Sequence, residues 1–559
     1  MKKINIQYIV LALCTTICLS SCYDDKSTLA VNLIDDVIID TAGISENQYV
    51  GYQEVLHLVP DIGLESGQDS ERRLAYEWAL NETVGSTQYE VLSRDKEFHE
   101  IIARPIDVSY YLLKLTVTDT QNDNLQYFHT WKVYVQSSFI DGLLISDSKD
   151  GQTSDFTFIK NKTFTLDYDK EEAIYRQILE NANGNPYNGL LSSLTYEVFG
   201  YPEMDSRLNQ VWAITHQGDE AVRFDCEDFS INGSTDNEFI ITYKPEGLQF
   251  KSFFSAYQLF FAHTSSGFYN LSRVSANSFG WHDATSAGYK PHNDVIAANS
   301  SRAVVYNYLV WYDKEKEQFV SYTGNPTFGT AKLHFYAKNN IFDPNALPNQ
   351  SAVAAGILAD AGIATFLLKD DATGTYTIYT LNQFREQQGY WNEDYTEYTE
   401  TSPEVPATAG NRYAIPASGK SLLDNAVSVF FLQNVNLLFV TTDNGIYTIT
   451  YGIGDTAVVS TTPKYTAAAG ETITKAKLYQ QGDATNDMSI ILPSGSEPPY
   501  RKTLPWHNKA VIVSTQKSES EGKVYVIPIT QTGIGTLDPS KALAYDGFGK
   551  VLDVITIGY

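Results

Sequence analysis

From residue 138 onward one pattern keeps returning: an apolar strand, a polar turn, and a second strand of alternating polarity. The pairs are 142–145 with 155–159, 211–214 with 221–224, 259–262 with 267–271, and 308–312 with 318–322. Three more follow, 364–368 with 375–379, 437–440 with 446–450, and 510–513 with 523–527. In the sixth, Asp443-Asn444-Gly445 supplies a hairpin turn, because Asn and Gly tolerate the positive φ such turns need. Hairpins repeating roughly every 50–75 residues are what a radial repeat produces, each unit burying its faces against its neighbours. The expected architecture is all-β, with residues 138–559 forming a β-propeller of seven blades. Long gaps at 160–209 and 453–508 have room for a further strand pair, so six or eight blades stay open as alternatives.

Close to residue 559 lies Val551-Leu552-Asp553-Val554-Ile555, within an apolar segment 549–557 that has no hairpin of its own. The first hairpin, in turn, has no strand before it. A propeller that closes by pairing its last strand into its first blade needs one strand missing and one spare. One helix is expected inside this region, over 170–183, where Ile174, Ile178 and Leu179 share a face and Gly184 ends it.

Upstream, 74–80 alternates around Trp78, and Tyr111-Leu112-Leu113-Lys114-Leu115-Thr116-Val117-Thr118-Asp119 places Leu113, Leu115 and Val117 on one face. Residues 35–137 are thus expected to form an Ig-like sandwich with one central tryptophan and no cysteine pair. The two strands resemble those of the PKD fold, and the amino-terminal part resembles the PKD-like family of Bacteroidetes lipoproteins, in which the module is usually a spacer.

Lys2 and Lys3 precede a short apolar segment, as in a secretory signal over 1–21. Leu19-Ser20-Ser21-Cys22 resembles the bacterial lipobox, which makes Cys22 the lipidation site and 22–34 a tether. Tyr23-Asp24-Asp25-Lys26 is similar to the acidic tag of lipoproteins sent to the exterior, so the expected location is the outer membrane, lipid-anchored and facing outward. Loss of residues 1–21 removes two lysines and takes the net charge from −27 to −29. Such a surface will not bind nucleic acid, which needs clustered Lys and Arg. Beyond Cys22 the remaining cysteine is Cys226, so neither a disulfide nor a cysteine zinc site forms within the mature chain. Cys226 is expected to be a plain buried thiol.

Catalytic signatures are weak. Neither His-Glu-x-x-His nor Gly-x-Ser-x-Gly occurs, and the nine histidines are scattered. Residues 414–421, Ala-Ile-Pro-Ala-Ser-Gly-Lys-Ser, formally match a phosphate-binding loop with alanine for its first glycine, but Pro416 removes a donor and an inter-blade loop is expected. Neither cofactor nor metal is assigned. Asp147 and Asp313, just past apolar strands, are the acids to test for polymer cleavage. Three aromatic loops suit ligand platforms, since flat rings supply area and their polar neighbours supply direction. They carry Trp281, His282, Tyr289 and His292; Tyr390, Trp391 and Tyr395; and Tyr500, Trp506 and His507. Resemblance to the PKD-like lipoproteins implies a non-catalytic accessory subunit of a SusC/SusD-type importer of oligopeptide or glycan, with that transporter and neighbouring surface lipoproteins as partners. A surface hydrolase or lyase and a structural adhesin are the alternatives.

Overall fold

The computed structural model describes residues 35–558 except 53, 68–72, 106–108, 137–138, 140, 166–167, 169, 200–207, 235–245, 257–258, 273–281, 284–287, 299–308, 326–329, 359–360, 386, 393, 395, 434 and 481–503. The chain divides into two compact units, Met1–Gln136 and Ser137–Tyr559. Cys22 lies outside the described residues.

The first unit is built on a five-stranded sheet ordered Asn47–Gly51, Leu125–Gln136, Tyr111–Asp119, Leu74–Asn81 and Tyr89–Ser93. Two short antiparallel pairs, Val37–Asp40 with Asp61–Leu64 and Val55–Leu58 with Phe98–Ile101, share its core. Leu113, Leu115 and Val117 are fully buried, as their period-2 spacing requires. The core holds two tryptophans rather than one: Trp131 stacks on Trp78 with centroids 5.4 Å apart, and Trp78 Nε1 donates to Asp95 O at 2.9 Å.

Seven antiparallel sheets of four or more strands follow in the second unit, among the described residues. Each expected hairpin supplies the second and third strands of one sheet. In the sixth, Leu437–Thr441 and Gly445–Thr450 are flanked by Ser428–Phe431 and Val458–Val459. The second strands read as unbroken apolar runs because both faces are covered. Leu438 and Val440 pack towards the fifth sheet with Leu367 and Ile378, while Leu437 and Phe439 pack towards the seventh with Val511 and Val513. The same alternation joins every consecutive pair. Phe156 meets Phe224, Trp212 meets Phe260, Phe268 meets Trp311, and Phe319 meets Phe366. Leu143 and Ile145 of the first sheet share a core with Ile512 and Val524 of the seventh.

Lys550–Ile557 pairs antiparallel with Gly142–Ser148, Leu143 opposite Thr556 and Ile145 opposite Val554. The spare terminal strand therefore occupies the vacancy before the first hairpin. The expected helix over 170–183 is largely replaced: Ala173–Tyr175 is a strand on Thr153–Lys160, and the helix is Ile178–Asn183, closed by Gly184 at φ 81°. Pairing with the sheet edge outweighs the helical spacing of Ile174, which is exposed. Residues 417–424 are helical rather than looped, and Lys420 pairs with Asp424. The glycine and serine of the phosphate-loop match thus spend their backbone N–H groups inside or beside a helix. No helix among the described residues is long and apolar enough to cross a membrane.

Candidate functional site

The first strands of the second, third, fourth, fifth, sixth and seventh sheets touch one another in succession, and Leu191–Phe199 also touches Lys550–Ile557. A cavity of about 540 Å³ lies among six of these strands. Its lining comes mostly from their later residues: Ala355, Gly356 and Ile357 of Gln350–Leu358, Phe430 and Phe431, Lys477 and Leu478, and Ile555 and Thr556. Gly356 is required where it stands, since a Cβ there would lie 2.4 Å from Cβ of Phe431.

At one part of this wall side-chain amides gather. Asn508 Nδ2 donates to Gln433 Oε1 at 2.7 Å, and Gln480 Nε2 donates to the same oxygen at 3.2 Å. Asn508 Nδ2 lies 3.0 Å from Nε2 of His507, which lines the cavity beside Gln433 and Gln480. Burial, aided by the Lys509 charge, lowers the His507 pKa, so the ring is neutral at pH 7 and offers one acceptor and one donor.

Charge enters through Asp553. Its Oδ1 accepts from Lys475 Nζ at 2.8 Å and Lys477 Nζ at 2.9 Å, and its Oδ2 from Leu194 N at 2.9 Å. Burial alone would raise this carboxyl, but the two ammoniums and the backbone donor hold it down at about 2. Lys477 shifts downward because its burial outweighs half a share in one carboxylate. Both pKa values fall: the carboxylate's charge is favoured while the ammonium's is disfavoured by burial and by Lys475, as two cations on a single anion produce.

Among the described residues the aromatic loops do not converge here. Trp281, Tyr395 and Tyr500 lie outside the described residues, and His282, Tyr390 and Trp391 are placed by backbone alone. His282–Asp283 is the outer strand of the third sheet, while Gln388–Trp391 pairs with Tyr398–Ser402 in a separate hairpin inserted into the fifth. Tyr289 packs against the core between the third and fourth sheets, with Lys316 Nζ 4.9 Å above its ring. His292, half-buried, has its pKa lowered by burial and by Lys314. Trp506 packs into the core shared by the seventh and first sheets. Among the described members, His507 is the one that lines the cavity. Gln433, Lys477, Gln480 and Asp553 carry no signal in the sequence, since single amides and a Lys-x-Lys alternation are common on any strand.

Asp147 and Asp313 act on backbone. Asp147 is pushed up by burial and accepts from Gly549 N at 2.8 Å. It lines a smaller cavity, about 140 Å³, with Asp155, whose Oδ1 accepts from Phe156 N at 2.7 Å and Leu179 N at 2.8 Å. Asp313 accepts from Lys290 N at 2.9 Å and Lys316 N at 3.1 Å. Both carboxylates serve as turn and strand clasps.

No curated protein matches this chain. Among solved structures it is similar to the extracellular domain of a protein described as a one-component system from B. thetaiotaomicron, with 10% identity over 89% of this chain and 86% of that one, at a TM-score of 0.17. It is also similar to the human desmocollin-1 ectodomain, with 10% identity over 78% and 75%, at a TM-score of 0.15. Neither score reaches what a shared arrangement gives, and neither bears on function. Residues 22–190 match the PKD-like family, a segment that starts at Cys22 and runs past Gln136 into the first sheet of the second unit, so the chain carries a PKD-like family domain over that stretch.

Proposed function

We propose that residues 138–559 form a closed seven-bladed β-propeller, tethered outside the cell through a lipid on Cys22, that binds nutrient without cleaving it. Its expected setting is an outer-membrane SusC/SusD-type importer, to which it would be an accessory subunit. The ring reading rests on the cyclic succession of cores and on the terminal strand in the first sheet. The anchor rests on the lipobox and on the PKD-like match that starts at Cys22.

One observation carries the binding reading: the cavity among the first strands is walled by aliphatic groups, amides, a neutral imidazole and an ammonium. These groups hold a polar oligomer by hydrogen bonds and apolar contact, and the volume is of the size small-molecule sites have. Calorimetry of the purified mature chain with panels of short peptides and oligosaccharides tests it. Binding that Gln433→Ala weakens at least tenfold supports the reading. Turnover of a polymer that Asp147→Asn or Asp313→Asn abolishes would overturn it in favour of a hydrolase. Co-purification of a transporter from native membranes, lost on Cys22→Ala, tests the accessory role.

A further inference from the structure

Two ammoniums on one carboxylate leave one positive charge in the cavity wall of a protein whose net charge is −27. Asp553 is 5% exposed and bonded through both oxygens, and its single negative charge is shared between the two lysines, so neither ammonium is neutralised in full. If the cluster only joined the last strand to the seventh sheet, one lysine would suffice. Lys475 and Lys477 stand two apart on Thr472–Leu478 and so share a face. Lys477 is crowded by protein yet keeps 30% of its side chain exposed, and it lines the cavity. An ammonium has three donors, and each is given one bond to Asp553.

The rest of the wall narrows the ligand further. Phe430 stacks on Phe439 at 5.2 Å and 15°, and Phe431 is buried, so these rings are committed to the sixth sheet. A sugar ring would want an uncommitted aromatic face. Aliphatic Ile296, Ile357 and Ile555 suit aliphatic side chains, and Gln433 and Gln480 suit peptide groups.

We propose that the cavity takes the carboxyl-terminal end of an oligopeptide, with the free carboxylate received by Lys477, whose charge the neighbouring Lys475 supports by sharing Asp553. This inference rests on reading the cavity as the binding site. A charge-assisted bond of this kind gives about a tenfold to hundredfold preference over a neutral group.

The test uses the full mature chain and an acetylated tetrapeptide of alanine and valine, ending either in a free carboxylate or in a carboxamide. Titration calorimetry is expected to give at least a tenfold tighter Kd for the free acid, a preference that shrinks as salt rises. Lys477→Gln should bring the ratio near one, and Lys477→Arg should keep most of it, with thermal melts confirming folding. Equal affinity for acid and amide in the wild-type chain overturns the carboxylate assignment while leaving a binding cavity in place. Tighter binding of an oligouronate than of the free-acid peptide overturns the peptide assignment. If no peptide or oligosaccharide binds, the underlying binding reading fails as well.

Discussion

Asp553 Oδ1 accepts from Lys475 Nζ at 2.8 Å, across the junction between the last strand of the chain and the first strand of the seventh sheet. Replacing Asp553 by Asn keeps an acceptor for Leu194 N but leaves two ammoniums facing each other without an anion. Removing one partner of a buried ion pair costs about 3–5 kcal/mol, and the partial exposure of both lysines moves the expectation to about 2 kcal/mol. Urea unfolding of Asp553→Asn checks this, and a loss under about 0.5 kcal/mol would mean the cluster is not a clasp.

The same carboxylate gives stability a pH dependence. Its folded pKa, about 2, lies below the ordinary 3.8, so its contribution is complete above pH 3.8 and is lost as pH falls through 2. A tenfold difference in proton affinity between the folded and unfolded chain corresponds to about 1.4 kcal/mol, so the loss across that window is about 2 kcal/mol. Asp147 and Asp155, raised by burial, act in the opposite sense. Subtracting the profile of Asp553→Asn from that of the wild type isolates the difference, which should narrow between pH 4 and pH 2.

Gly549 sits where the last strand crosses the first hairpin, and a Cβ there would lie 2.0 Å from Ser148 O. Backbone cannot yield to it as a flexible side chain would, so Gly549→Ala should destabilise the second unit by about 1–3 kcal/mol. Gly63→Ala is the control, because nothing lies within 4 Å of its Cβ position. Similar melting temperatures for both variants would contradict the crossing.

Cys226 is 2% exposed, and burial raises its thiol well above the ordinary value. Thiolate is the reactive form, so a chain starting at residue 23 should resist a disulfide reagent at pH 8 until it unfolds. Labelling at the rate of a free thiol in buffer would place Cys226 at the surface.

Buried apolar strands announced themselves. Runs such as 437–440 and 510–513 are apolar on both faces because both faces are covered, and that composition is legible without coordinates. So was the unmatched segment 549–557, whose partner followed from counting strands. The strands around the cavity were not legible. Ile296–Ala298 and Ser428–Phe431 are too short to show a period, and they become strands because a sheet edge offers them hydrogen bonds. For this reason the first strand of each expected hairpin is the second strand of its sheet.

Local composition therefore determined the class of fold, the hairpins and the spare terminal strand, since strand period and turn chemistry act over a few residues. The site was decided by tertiary structure alone. Gln433, Lys477, Gln480 and His507, which line the cavity, and Asp553, which holds Lys477, are spread over 121 positions (433 to 553), and each is unremarkable beside its chain neighbours. They meet because sheet packing sets the first strands side by side, an effect of long-range burial that no short stretch of sequence encodes.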